Sequence, residues 1–152
     1  MSKVLNAGFL WLPAAFLFGL PSGAHAQSNS VLTSIMRTAP MTLSLNEEHD
    51  SRMSGTVTLT LRGDSTAVRV TLQGARAGES VHSHIHYGTC ENPGGVVAPL
   101  ADVLIGSDGT GMSRTIVARS LLGEARKAHG ALLVQAHLAN GKPAACADVS
   151  AR

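Results

Sequence analysis

Two stretches of alternating side chains decide what this chain can fold into. Gly55-Thr-Val-Thr-Leu-Thr-Leu61 and Ala67-Val-Arg-Val-Thr-Leu72 each put an apolar residue at every second position. That period belongs to a strand with one buried and one solvated face, and β-branched residues suit it. Between them, Arg62-Gly-Asp-Ser65 has the composition of a hairpin turn. Met41–Leu45 and Met112–Ala118 alternate in the same way, Ala131–His137 reads as a buried strand, and Ala144–Ser150 as the closing one. Val96–Leu104 is apolar but contains Pro99, and reads as one strand or two short ones. Connections are expected at Asn46–Arg52, Gly74–Ser80, Glu91–Gly95, Ser107–Gly111 and Asn140–Pro143, which are polar or rich in Gly and Pro. A short helix is expected over Ser120–Ala128, with Ser120 as its cap. Seven or eight short strands with a turn about every ten residues predict an all-β fold: an antiparallel, Greek-key-type sandwich or barrel with at most one short helix.

Residues 1–26 are expected to be an export signal rather than part of the fold. Lys3 gives a positive start, an apolar run follows from Ala7 to Leu20, and Ala24-His25-Ala26 has the small-x-small form of a cleavage site. The alternative is a membrane anchor, but the run falls short of the ~20 apolar residues a span needs, and Pro13 interrupts it. No cysteine beside the cut supports a lipoprotein. Residues 27–40 then read as a flexible lead-in and 41–152 as one domain, with no later segment apolar enough to span a membrane. The protein is therefore expected outside the cytoplasm, periplasmic or secreted.

Losing the leader changes the composition. Tyr87 becomes the sole aromatic residue, and eleven basic residues face ten acidic ones. No basic stripe with interleaved aromatics exists, which argues against a nucleic-acid partner. The core must be built from Val, Leu, Ile and Ala. Cys90 and Cys146 form an even pair in a chain expected to be exported, where oxidation is the default. A disulfide between them would stabilise such a core by about 4 kcal/mol. A thiolate metal site is the alternative, but neither cysteine has a CxxC partner.

The stretch most suggestive of chemistry is Val81-His-Ser-His-Ile-His-Tyr-Gly-Thr-Cys90. In a strand His82, His84 and His86 share one face, spaced about 7 Å apart. Imidazoles so arranged can supply part of a coordination sphere for copper or zinc, or they can simply hydrogen-bond within the sheet. Asp102 and Asp148 are candidates to orient a ligand imidazole, or else cap turns. His49, His129 and Tyr87 are expected to be solvated, at the surface, and packed near Cys90, respectively. No Gly-x-Ser-x-Gly elbow, phosphate-binding glycine loop or paired carboxylates recommend another catalysis.

Gly55–Leu61, the second alternating strand, His84-Ile-His86-x-Gly88, Gly94-Gly-Val-Val-Ala-Pro-Leu100 and Leu132-Leu-Val-Gln-Ala-His137 together resemble the CHRD-domain family, itself similar in fold to the copper/zinc superoxide dismutases. The resemblance covers about residues 41–149. It implies that His84 and His86 match a copper-binding His-x-His pair, and that Cys90 and Cys146 match an intrachain disulfide. Leu100 to Gly109 looks like the strand and turn that follow the dismutase metal loop. Three departures follow. The long loop bearing the bridging and zinc ligands is absent, Gln135 stands where the last copper histidine would be, and Pro143 stands where an anion-guiding arginine would be. His137 lies two residues beyond Gln135, about 7 Å along the strand, and reaches His84 and His86 only if the register allows.

The expectation is thus a non-enzymatic exported module holding copper or zinc through His84, His86 and His137, with His82 as an auxiliary. A copper-only superoxide dismutase and a metal-free module engaging an unknown protein partner or the envelope are the alternatives.

Overall fold

The computed structural model describes residues 39–149, so the leader over 1–26 and nearly all of the lead-in over 27–40 lie outside the described residues. Nine strands and one helix follow in order: β1 (Met41–Glu47), β2 (Ser54–Arg62), β3 (Ser65–Gln73), β4 (Ser80–Gly88), β5 (Pro93–Pro99), β6 (Val103–Leu104), β7 (Thr110–Ala118), α1 (Arg119–His129), β8 (Leu132–His137) and β9 (Pro143–Val149). All pairings are antiparallel. The order across the sheet is β5-β4-β8-β9-β1-β2-β3-β7, and β6 pairs with β4. A bridge between Ile105 and Gly111 links the β6 end to β7, so the sheet curls back toward itself. This is the expected all-β sandwich or barrel. Among the described residues no helix is long and apolar enough to cross a membrane.

The alternation read from the sequence sets the two faces. Val57, Val68, Val70 and Leu72 point inward and meet Val81, Ile85, Val134 and Ala136 from the other half in one core. That core is aliphatic, and its lining in β9 is mostly alanine (Ala144, Ala145 and Ala147, before Val149 at the strand's end), small side chains that let the two halves approach closely. The Cys90–Cys146 disulfide is present and spans 56 residues of sequence. It fixes the β4–β5 connection to β9, and Asp148 Oδ1 accepts a 2.8 Å hydrogen bond from the Cys90 N–H beside it.

Two expectations are corrected. Glu91–Gly95 is not a loop throughout, because β5 begins at Pro93. Pro93 pairs with Gly88, and Pro99, at the other end of the strand, pairs with His84. Composition suggested a loop, but pairing along β4 holds the segment extended. The helix begins at Arg119, with Ala118 at the cap position and no side-chain cap bond, so Ser120 does not cap it. Its far end fits helix chemistry better: Arg126, Lys127 and His129 lie in the last turn, and Gly130 takes φ 80° to close it. Arg126 Nη2 donates to the Val149 carbonyl at 2.6 Å, tying α1 to β9.

Candidate metal centre

β4 turns Val81, Ser83 and Ile85 into the core and His82, His84 and His86 to the opposite face. β8 does the same with Leu132, Val134 and Ala136 against Leu133, Gln135 and His137. The ladder pairs His82 with His137, His84 with Gln135 and His86 with Leu133, so all six share one face. Cys146 pairs with Gln135 from the other side and extends that face onto β9.

His84, His86 and His137 come together there. Each offers a ring nitrogen within 4.8 Å of the others. The ring centroids are 5.7 Å apart for His84–His86, 5.2 Å for His84–His137 and 5.6 Å for His86–His137. Nitrogens sharing an ion at ~2.0–2.1 Å are at most about 4 Å apart, so small ring rotations close the set onto one ion. His137 reaches the pair although it lies across from His82. The β8–β9 ladder is irregular between Ala136 and His137, where His137 pairs with Pro143, and such bulges re-aim a side chain.

Backbone carbonyls orient two of the rings. His86 Nδ1 donates to the Gly94 carbonyl at 2.9 Å, and His137 Nδ1 to that of Gly141 at 3.3 Å. A carbonyl can only accept, so the proton is on Nδ1 and the lone pair of each neutral ring is on Nε2. Both Nε2 atoms are buried and, among the described residues, have no hydrogen-bond partner. His84 is held below the ordinary imidazole pKa by burial first, then by the charges His86 and His82 would carry, against a smaller upward pull from Asp102. Burial lowers His137 as well; the Gly141 hydrogen bond opposes this, and His84, His86 and His82 add to it. Neutral imidazole is the form that ligates a metal.

His82 does not join the cluster. Its Nδ1 lies 2.8 Å from Asp102 Oδ1, in a pair about half exposed (57% and 48%). Of the two aspartates singled out, Asp102 therefore orients an imidazole outside the cluster, and Asp148 holds the Cys90 backbone instead. Tyr87 was expected to shield the cysteines. Its ring stacks on His129 at 3.8 Å and rests against Gly94 and Gly95. A methyl group at Gly94 would overlap that ring, which is why this position must be glycine. His129 is exposed apart from this stack, and His49 is exposed at φ 53°.

Sequence reasoning missed Glu48. Its Oε2 accepts a 2.9 Å bond from Gln135 Nε2, across 87 residues of sequence. Glu48 also lines a recess with Glu47, Glu91, Asp148 and the disulfide, so carboxylates border the histidine face. No periodicity marks Glu48, and only the neighbouring strand pairing brings it in. The chain matches no protein-family model and no curated protein.

Proposed function

We propose that this chain is an exported β-sandwich module of the type its sequence resembles, the CHRD-domain and superoxide dismutase-like kind, which takes up one copper or zinc ion through His84, His86 and His137. The observation that carries this reading is the pair of buried, unpartnered Nε2 atoms of His86 and His137 converging with His84. Burying a polar atom without a partner costs about 1–3 kcal/mol, and coordination relieves that cost. The donor set is imidazole, which suits Cu(II) and Zn(II). A bound ion would supply a concentrated Lewis-acid charge on this face. The Cys90–Cys146 disulfide supports an oxidising compartment, periplasmic or secreted.

The rival reading, a copper-only dismutase, needs a cation near the ion to draw in an anion. Among the described residues the side chains bonded to the neighbours of the cluster are the carboxylates Glu48 and Asp102, which attract metal cations and repel superoxide. Hence we read the module as non-enzymatic. Purified protein dialysed against Cu(II) or Zn(II) should retain one equivalent of ion, and the copper form should not remove superoxide faster than the free ion does. Rapid dismutation would establish the rival, and failure to retain either metal would leave a metal-free interaction module.

A further inference from the structure

We infer that Gln135 is a fourth ligand of this site, its side-chain Oε1 joining the three imidazoles on one ion, with Glu48 setting the orientation of the amide. This rests on the metal-binding reading above. Gln135 occupies the middle of the histidine patch: His84 lies directly across the ladder, His82 and His86 on the two diagonals, and His137 two residues along its own strand. Opposed side chains on one face have Cβ atoms about 4.5–5.5 Å apart, and diagonal ones about 7–8 Å. A glutamine only 2% exposed at that point is the floor beneath the rings.

Its amide has a defined direction. Glu48 is anchored on the β9 side, where its N–H donates to the Ala144 carbonyl at 2.9 Å. A carboxylate accepts hydrogen bonds, so it takes the amide NH2 of Gln135 at 2.9 Å. The amide oxygen, on the other arm, is not the atom that Glu48 engages, and the residue sits on the face that carries the imidazoles. The bond to Glu48 uses Nε2 and so leaves Oε1 for another partner. A leucine of similar volume would fill the floor without burying an amide, so the amide serves a purpose other than packing. A hard carbonyl oxygen beside three imidazoles favours Cu(II) and Zn(II) over Cu(I), whereas a thioether favours Cu(I).

The test uses the full mature protein with Gln135→Leu, Gln135→Met and Glu48→Leu, titrated with Zn(II), Cu(II) and Cu(I) against competing chelators, plus the paramagnetic resonance spectrum of the Cu(II) forms. Gln135→Leu should weaken Cu(II) and Zn(II) about 10- to 100-fold and change the Cu(II) spectrum, and Glu48→Leu should weaken them about tenfold. Gln135→Met, close in shape and so the control for folding, should shift the preference toward Cu(I) by about tenfold or more. If the unaltered protein binds the ion and Gln135→Met and Gln135→Leu match it in affinity and spectrum, the inference is overturned while the site stands. If the unaltered protein binds none of the three ions, the site itself fails and the fourth ligand with it.

Discussion

His137 stands directly across the β4–β8 ladder from His82, yet its ring gathers with His84 and His86 instead. Asp102 is the reason on one side, since it holds His82 by Nδ1 at 2.8 Å. On the other side, the irregular pairing after Ala136 and the Gly141 carbonyl turn His137 along the strand. Two histidines that register alone would make partners are thus separated into a member of the converging cluster and a surface residue.

His82→Ala should therefore leave zinc affinity within about threefold of the starting value, because its ring is not among the converging donors, whereas His86→Ala should lower it by at least about 100-fold. Competition with a coloured chelator measures both. A large loss in His82→Ala would mean that it coordinates after all.

Gly94→Ala should disturb two things at once. The added methyl overlaps Tyr87, and moving this residue displaces the carbonyl that holds His86 Nδ1. Overpacking of this kind costs about 1–3 kcal/mol, and loosening the second partner of a ligand costs about tenfold in metal affinity. Urea denaturation and metal competition should both register the change. Unaltered values would show that the β4–β5 connection yields freely.

The metal-free protein should lose stability in mild acid. His84 and His137 have folded pKa values depressed below the ordinary 6.5, mainly by burial. The unfolded chain then binds more protons than the folded one, so the contribution is fully present above that value and is lost as pH falls through the window below it. The urea midpoint should drop between about pH 7.5 and about pH 5.5, and the double variant His84→Gln/His137→Gln should flatten this dependence. An equally steep slope in the double variant would place its origin elsewhere.

Arg69 and Arg114 are direct cross-strand partners on the outer face of β3 and β7, and neither forms an ion pair among the described residues. Like charges in that relation destabilise a sheet. Arg114→Glu should raise stability by about 0.5–1 kcal/mol in low salt, with the gain shrinking as salt is added. Equilibrium unfolding at two salt concentrations measures it, and no gain would mean that the two side chains already splay apart into water.

Much of the fold was written in period-two patterning, and so was the shared face of His82, His84 and His86. The cystine was legible from an even cysteine pair in a chain with an export-like leader. What escaped was whatever depends on a distant residue. Pro93-Gly94-Gly95 looks like loop on its own, and becomes strand because β4 offers it pairing partners. His82 looks equivalent to its neighbours until Asp102 arrives from twenty residues away. Glu48 lies in a charged connection with nothing local to distinguish it, and only the closure of β1 against β9 carries it to Gln135.

The prolines that bracket β5 have a consequence for assembly. Among the described residues β5 is the outermost strand of the histidine-bearing half, with no neighbour on its far edge in the sheet order. An unpaired edge invites another chain to add on, but Pro93 and Pro99 contribute no N–H groups, and only seven residues separate solvent from solvent along it. Growth into ribbons or fibres by strand addition at this edge of the histidine-bearing half is thereby discouraged.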